Sequence, residues 1–327
     1  MSLRLLEDIR NQPTSLRSVL RYQSGEGRAA LEAAGAAIRE AGRVIVTGMG
    51  ASLFAAMPLA YLLPNCQVIE SSDLLHFRAQ TCAGAVVIVV SRSGESVEAV
   101  KLLAVLRRLG AVVVGVTNVA DSTLARESDH TILVGCGADE MVALQSYTGT
   151  MLALLLLVAE EDLQAEAELA ISRLSELLNE SETAAGYPLE RTVYVLGRGP
   201  SLASAQEGAL LFHETAKFPA IAMEAGSFRH GPLEVVDADF RAIVFASQPA
   251  TSELDLHLAD DLRTLGGQVE VIAVQDVPLR FVPMVEIIPV QFAAMRLAQA
   301  RGIRPGAFRH VTQVTQSETG LPLRAGH

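Results

Sequence analysis

Short runs of Val and Ile, separated by longer stretches of helical character, constrain the fold of this chain more than any other feature. Apolar strands that alternate with helices are typical of a parallel sheet covered by helices on both faces. The first half of the sequence therefore predicts one such sheet. Its predicted strands span 44–47, 68–70, 86–90, 112–116 and 131–134, and its predicted helices span 52–63, 96–109 and 142–160.

The second half of the sequence repeats the first in the same order. The matching runs are 46–53 with 195–202, 88–91 with 244–247, and 112–116 with 269–273. We therefore predict an α/β protein of two tandem domains, each with a five-stranded parallel sheet and helices on both faces. The predicted parts are a first domain with an N-terminal helix at 1–165, a linker helix at 166–187, and a second domain with a C-terminal loop at 188–327.

Charge and cysteine content argue against nucleic-acid binding, a disulfide framework and a zinc site. The chain has a formal net charge of −11, no basic run, and Lys only at Lys101 and Lys217. Nucleic-acid binding needs a concentrated positive surface, so we predict none. The three cysteines form no CxxC pair, which argues against a disulfide framework and against a zinc site.

The sequence shows neither a signal peptide nor a membrane span. Its N-terminus has no h-region, and the longest apolar run, 151–159, is too short to cross a bilayer. We therefore expect a cytoplasmic protein that has no membrane partner.

The turn after the first predicted strand has the residues of an anion-binding loop. The run 48–52 reads Gly-Met-Gly-Ala-Ser and leads into a predicted helix. Glycines let the backbone turn sharply and approach a ligand, and a helix N-terminus offers N–H groups to an anion. Gly50 and Ser52 are therefore candidate binding residues. A dinucleotide-binding fingerprint would need a further Gly near Phe54, so the motif argues against NAD.

A second loop of this kind follows the third predicted strand. Residues 91–96 read Ser-Arg-Ser-Gly-Glu-Ser. Ligands of open parallel sheets bind outside the carboxyl ends of the strands, which is where this loop lies. The alternative interpretation is a Ser-rich cap for the helix at 96–109. The candidate phosphate-binding residues of the loop are Ser91, Arg92, Ser93 and Ser96.

The two loops together resemble the sugar isomerase (SIS) domain family. In that family the Ser-rich loop holds the phosphate of a phosphosugar. The resemblance implies that no metal or organic cofactor is needed. It also implies a phosphate site built from Ser52, Ser91, Arg92, Ser93 and Ser96, with Gly50 in the same turn as Ser52.

The second half resembles the isomerase half of the glucosamine-6-phosphate synthases and the free-standing amino-sugar-phosphate deaminases and isomerases. The motifs are Gly-Arg-Gly at 197–199, Glu-Gly-Ala-Leu at 207–210, Glu214, and Phe-Arg-His-Gly-Pro at 228–232. The resemblance implies that Glu214 moves a proton between C1 and C2 of the open-chain sugar. It further implies that His230, from the neighbouring subunit, takes part in ring opening, so we expect a homodimer with active sites between subunits.

The chain departs from this family at positions that usually carry Lys. Leu211 stands three residues before Glu214, and His213 takes the place of the following Lys. The pair at 144–145 is Leu-Gln instead of Thr-Lys, and His310 stands roughly where the Lys of a C-terminal loop would be. These departures leave the route of ring opening and the exact substrate open, and His310 remains a candidate substrate-binding residue.

We expect an isomerase or deaminase of a phosphorylated sugar, acting on an amino-sugar 6-phosphate such as glucosamine 6-phosphate. Ser2 stands where the synthases have their catalytic Cys, so we expect no glutamine hydrolysis. Two alternatives stay open. One is a sensor that binds phosphosugars without reaction, and the other is a deglycase of phosphorylated sugar–amine adducts.

Overall fold

The computed structural model describes residues 3–184 and 191–319, which fall into two compact units. The N-sheet unit consists of residues 14–164 and 308–319. The C-sheet unit consists of residues 3–13, 165–184 and 191–307. The predicted domain boundaries, 1–165, 166–187 and 188–327, stay a prediction, and parts of the predicted linker and C-terminal loop lie outside the described residues.

The first half of the chain alternates strands and helices as its sequence predicts. The five strands expected there are confirmed to within two residues at each end. In order, the elements are α1 (Leu3–Ser24), α2 (Arg28–Glu40), β1 (Val44–Gly48), α3 (Ala51–Ala56), β2 (Cys66–Glu70), α4 (Ser71–Asp73), β3 (Val86–Val90), α5 (Val97–Arg108), β4 (Val112–Thr117), α6 (Thr123–Glu127), β5 (His130–Leu133) and α7 (Gln145–Val158).

The sheet of the N-sheet unit is parallel throughout, in the order β2-β1-β3-β4-β5. Every residue of β1 and β3 is buried, which explains why eight of their ten residues are Val or Ile. Burial of each such side chain stabilises the fold by roughly 1.5–3 kcal/mol. Gly48 at the end of β1 pairs with Val90 at the end of β3. The loops that follow these two strands therefore leave the sheet side by side at its carboxyl edge.

The C-sheet unit has a second parallel sheet, in the order β7-β6-β8-β9. In order, the elements are α8 (Gln164–Thr183), β6 (Val193–Gly197), α9 (Ser201–Leu211), β7 (Ala220–Glu224), α10 (Ala225–Phe228), β8 (Arg241–Phe245), α11 (Ser252–Thr264), β9 (Gln268–Ile272), α12 (Val282–Glu286) and α13 (Ile288–Ala300).

The prediction of five strands in the second sheet is wrong, because four strands form it among the described residues. After β9 the chain passes Pro278 and enters helical structure that continues with short breaks to Ala300. Pro283 and Pro289 lie in the first turns of α12 and α13, where the missing N–H of proline costs nothing. The chain therefore becomes helical where the repeat had predicted the last strand.

The apolar stretch Leu279–Ala300 is long enough to cross a membrane by length and composition. In the fold, however, 89% of its most apolar window is buried. Its helices α12 and α13 pack against α9. The stretch is therefore a core helix region of the C-sheet unit.

Strand pairing also corrects the alignment of the two repeats by one residue. Val44 pairs with Val86 in the first sheet, and Val193 pairs with Arg241 in the second. Counting along the paired strands makes Ser91 equivalent to Ala246, whereas the sequence match had aligned Ser91 with Ser247. Strand pairing therefore defines which residues of the two repeats are equivalent.

Candidate functional site

The turn between β1 and α3 has the sharp geometry expected of a loop that approaches a ligand. Gly50 has φ +50, a backbone conformation that L-residues rarely adopt. The N–H of Ser52 donates to the Met49 carbonyl at 3.2 Å, which closes the turn. A Cβ at Gly48 would lie 2.9 Å from the Val90 carbonyl oxygen, so this position also requires Gly. Gly50 and Ser52 thus lie at the carboxyl edge of the sheet, next to the loop after β3.

Ser91, Ser93 and Ser96 lie together in a tight loop between β3 and α5. The hydroxyl oxygens of Ser91 and Ser96 are 3.1 Å apart, and Ser91 Oγ accepts from the Gly94 N–H at 3.2 Å. Ser93 Oγ accepts from the Glu95 N–H at 3.2 Å. Because Ser93 and Ser96 are only half-buried, their hydroxyl protons can turn to a ligand in front of α5.

The position of Ser96 bears on the alternative interpretation of this loop as a plain helix cap. Ser96 is the N-cap residue of α5, but its side chain accepts no hydrogen bond from the first turn of that helix. A capping Ser normally accepts from the second or third helical N–H. Ser96 Oγ lies against Ser91 Oγ instead. The loop therefore has hydroxyl groups that are not used to cap α5.

Two further groups fix the backbone of this loop. Gly94 has φ +66, and a Cβ there would lie 2.2 Å from Ser122 Oγ. The Glu95 carboxylate accepts from the Thr123 N–H at 2.5 Å and from Thr123 Oγ1 at 3.0 Å. Glu95 thus ties the loop to α6, which holds the hydroxyl groups in place before any ligand binds.

The C-terminal segment of the described chain lies against this loop within the N-sheet unit. Arg92 Nη2 donates to the Gln313 carbonyl at 3.3 Å, and the Val97 N–H donates to the Thr315 carbonyl at 3.0 Å. Glu318 Oε1 lies within hydrogen-bond distance of His76 Nε2, at 2.7 Å, and Glu318 forms an ion pair with Lys101. These contacts were not predicted, because the segment is polar, exposed and lacks any repeat. His310 lies exposed in the same segment.

Glu214 lies in the C-sheet unit, in a π-helical turn, Phe212–Ala216, that continues α9. Such single π-turns are rare and are often found at functional sites. Lys217, with φ +52, ends the turn, and its Nζ donates to the Glu214 carbonyl. Glu214 is partly exposed. The apolar stripe beside it is buried as its spacing predicts, and consists of Ala205, Ala209, Phe212 and Ala216.

Two residues near Glu214 replace family lysines. Leu211 is buried in the core, and His213 is hydrogen-bonded to the main chain. Leu211 is a core residue with 1% exposure. His213 Nε2 lies 3.0 Å from the Ala220 carbonyl oxygen and 3.1 Å from the Ala220 nitrogen, at the start of β7. One ring nitrogen of His213 is thereby committed to the main chain.

His230 follows the short helix α10 and is exposed. Its N–H donates to the Ser227 carbonyl at 3.0 Å, and Gly231 after it has φ +125. The Glu224 carboxylate caps α10 by accepting from the Ser227 N–H at 2.6 Å. Glu214 and His230 thus lie in the C-sheet unit. The loop at 91–96, called the hydroxyl loop below, and His310 lie in the N-sheet unit.

Arg198, in the turn after β6, is part of an ionic network that sequence reasoning missed. Its Nε donates to Asp255 Oδ1 at 2.6 Å, and its Nη1 lies 3.6 Å from Glu224 Oε1. The Asp255 side chain is 1% exposed and also accepts from Thr251 Oγ1 at 3.0 Å. Burial raises the pKa of Asp255, although the bonds from Arg198 and Thr251 oppose this. The Gly-Arg-Gly motif predicts the turn, but it gives no indication that Arg198 pairs with Asp255 on α11.

Metal and thiol chemistry find little support in the part of the chain that the structure describes. Within it, no group of three or more His, Cys, Asp and Glu side chains is arranged to hold a metal ion. The cysteines are free thiols, and burial raises the pKa of both Cys66 and Cys136 to about 12. A thiol of such high pKa is a poor nucleophile at neutral pH.

The architecture and the loop motifs match a known family. A model of the SIS domain matches residues 37–160 and 189–281. The chain belongs to the SIS domain family. The SIS match covers both sheets, so the internal repeat is a repeat of this domain.

The curated relatives of this SIS protein include glutamine–fructose-6-phosphate aminotransferases. The glutamine–fructose-6-phosphate aminotransferase (isomerizing) of Pyrobaculum aerophilum is 29% identical over 352 residues, which cover 96% of this chain and 57% of that protein. The chain spans about half the length of these curated relatives.

Two solved structures of similar size share the fold. The tagatose-6-phosphate ketose/aldose isomerase of Escherichia coli superposes with a TM-score of 0.82 at 23% identity, over 93% of this chain and 95% of that chain. The glucosamine-6-phosphate deaminase of Thermotoga maritima superposes with a TM-score of 0.78 at 19% identity, over 95% of this chain and 99% of that chain. At these identities the similarity shows the fold alone.

Proposed function

We propose that this SIS protein is an aldose–ketose isomerase or deaminase of an amino-sugar 6-phosphate such as glucosamine 6-phosphate. The observation that carries the proposal is the loop between β3 and α5, which carries Ser91, Ser93 and Ser96. The hydroxyl oxygens of Ser91 and Ser96 lie 3.1 Å apart, and Ser96 does not cap the helix with its side chain. Hydroxyl donors in front of a helix N-terminus suit a phosphate dianion. The names of the relatives, which include a glucosamine-6-phosphate deaminase and isomerizing synthases, agree with this substrate class.

The proposed chemistry needs one base that removes a proton from carbon and returns it to the neighbouring carbon. We assign this role to Glu214, because a partly exposed carboxylate on a π-helical turn can reach a substrate. His230 is proposed to move the proton of the ring hydroxyl during ring opening, since an imidazole can both accept and donate near neutral pH.

Because Leu211 and His213 stand where the family usually has Lys, fewer residues could assist ring opening. Leu211 is buried and apolar, and one ring nitrogen of His213 is bonded to the main chain at Ala220. His310 is exposed on the C-terminal segment, whose residues 313 and 315 contact the phosphate loop. We therefore propose that His310, and not His213, takes the place of a family lysine.

The proposal also covers the cellular location, the oligomeric state, the cofactors and the source of nitrogen. We propose a cytoplasmic homodimer that needs no metal or organic cofactor and that uses or releases free ammonia.

The direct test is incubation of the purified protein with glucosamine 6-phosphate, followed by assays of ammonia and fructose 6-phosphate. Glu214→Gln is the matched variant, because it keeps the shape and removes the base. We expect release of ammonia by the wild type and a loss of about 10²–10⁴-fold in the variant. Equal turnover in both proteins would remove Glu214 from the mechanism.

A second candidate function is a sensor that binds phosphosugars without reaction. The loss of lysines at Leu211 and His213 favours it. Thermal stabilisation by several hexose 6-phosphates, with no turnover of any, would support the sensor. Release of a free amine from a phosphorylated sugar–amine adduct would instead support a deglycase.

A further inference from the structure

The C-sheet unit contains a buried carboxylate at the edge of its sheet where the N-sheet unit has its hydroxyl loop. Glu286, the last residue of α12, has 0% exposure. Its Oε1 accepts from Ser204 Oγ at 2.7 Å. Its Oε2 has no hydrogen-bond partner among the described residues. A fully buried carboxylate that uses one oxygen only is costly unless its surroundings suit an anion.

The surroundings of Glu286 are hydroxyl groups from the first turn of α9 and from the loop after β8. Burial raises the pKa of Glu286, whereas the nearby hydroxyls of Ser247, Ser204 and Ser201 lower it, and the charge of Asp255 raises it further. Ser201 Oγ accepts from Gln248 Nε2 at 3.3 Å, and Ser247 Oγ accepts from the Val274 N–H at 3.0 Å. The Ser201 hydroxyl therefore keeps a proton that it can turn towards the carboxylate, whereas the Ser247 hydroxyl also donates to the Ile272 carbonyl at 3.5 Å.

Two of these serines, Ser201 and Ser247, lie at positions equivalent to proposed phosphate-binding residues of the other repeat. Ser201 begins α9 directly after the turn that follows β6, as Ser52 lies at the start of α3 after β1. By strand pairing, Ser247 is equivalent to Arg92 and Gln248 to Ser93. The edge of the C-sheet unit thus repeats the placement of polar groups that precede a helix, and Glu286 fills the space between them.

We propose that this edge of the C-sheet unit is an anion site occupied by the chain's own Glu286. The carboxylate stands where an oxoanion would bind, so the unit is closed to phosphate and other external oxoanions. If Glu286 is removed, the pocket should accept a small oxoanion such as formate, acetate or inorganic phosphate. The inference rests on the C-sheet unit alone and does not depend on the proposed catalytic activity.

The test is chemical rescue of Glu286→Ala, followed by thermal unfolding at neutral pH. We expect this variant to have a lower Tm than the wild type. Added formate should raise its Tm with the logarithm of concentration, as binding to the native state requires, and sodium chloride at equal ionic strength should not. A Tm that responds equally to formate and chloride would overturn the proposal.

The matched control is Glu207→Ala, because Glu207 is also buried, at 1% exposure, on α9 of the same unit. Its Tm should show no specific response to formate, as should that of the wild type. A formate response of equal size in the control would also overturn the proposal, since rescue would then be a general effect.

Glu286→Gln decides the question if Glu286→Ala yields no folded protein. Gln keeps the shape of Glu but has one acceptor oxygen and an NH₂ group where the carboxylate has its second oxygen. We expect a lower Tm, because this NH₂ group cannot accept from the serine hydroxyls as the second carboxylate oxygen can. An unchanged or higher Tm in Glu286→Gln would show that the charge has no role there.

Discussion

The two repeats of this chain share a backbone plan but differ in the chemistry at the carboxyl edge of their sheets. After β1 and after β6 the chain makes the same glycine turn, with φ +50 at Gly50 and φ +55 at Gly199. The next loop is hydroxyl-rich in the N-sheet unit, at 91–96, whereas its equivalent at 246–251 reads Ala-Ser-Gln-Pro-Ala-Thr. The duplicated fold thus keeps the turns that position a loop and varies the side chains that the loop presents.

The difference extends to the residue between the two glycines of the turn. The N-sheet unit has Met49 there, and the C-sheet unit has Arg198, which is paired with Asp255. In the proposed scheme the N-sheet edge stays open to an external anion, whereas the C-sheet edge is filled by internal ion pairs and by Glu286. Substitutions that exchange or remove these features test how far the two edges differ.

The largest effect is expected when the turn of the C-sheet unit receives the residue of the other repeat. Arg198→Met removes the cation beside the buried Asp255, and breaking such a pair costs about 3 kcal/mol. The free energy of unfolding, measured by urea denaturation, should fall by this amount. Restoration of stability in Arg198→Met/Asp255→Asn would identify the unpaired charge as the cause. A single variant as stable as the wild type would contradict the assigned pair.

A smaller and equal effect is expected at the glycines that the two turns share. Gly50→Ala and Gly199→Ala each force an L-residue to positive φ, which costs about 1–2 kcal/mol. The two changes in unfolding free energy should agree, since the substituted group is the same and φ is +50 at Gly50 and +55 at Gly199. A clear cost at one position only would mean that the turns are not equivalent.

Ligand affinity should separate the hydroxyl loop from its equivalent. Ser93→Ala removes a donor to the phosphate, so the Kd for glucosamine 6-phosphate should rise about tenfold. Gln248→Ala, at the equivalent position of the C-sheet unit, should leave the Kd unchanged. Titration calorimetry measures both. An unchanged affinity in Ser93→Ala would show that this hydroxyl only stabilises the loop, through its bond from the Glu95 N–H.

The smallest effect concerns Asp139, a half-buried carboxylate that precedes α7 as Glu286 precedes α13. Asp139 accepts from the N–H groups of Gln145, at 2.8 Å, and Ser146, at 3.0 Å. Burial raises the pKa of Asp139 above its ordinary value, and these bonds oppose the shift. The folded chain therefore holds this proton more tightly than the unfolded chain does.

It follows that this group's contribution to stability falls as pH rises from the ordinary Asp pKa through the raised one. The difference in unfolding free energy between the wild type and Asp139→Asn should therefore decrease over that acidic range and stay constant above it. A pH series of denaturant titrations measures the slope. A difference that grows with pH would mean that the pKa of Asp139 is lowered by folding.

The sequence predicts the local parts of this molecule well and the long-range parts poorly. The strands of the first half and the loop at 91–96 depend on composition and on nearest neighbours along the chain, and the structure has them as predicted. The missing fifth strand shows the limit of the repeat, because prolines and a long apolar helix replace the strand after β9. Asp255 and Glu286 were missed because a single acidic residue on a helix carries no signal of burial.

The bond between the Val97 N–H and the Thr315 carbonyl has a consequence for how this region can be studied. It joins two main-chain groups, so no exchange of side chains removes it. An alanine scan of 308–319 would therefore understate how firmly the C-terminal segment is attached to the start of α5. Backbone chemistry, such as an ester in place of the Val97 amide or a chain that ends before Thr315, would report that attachment directly.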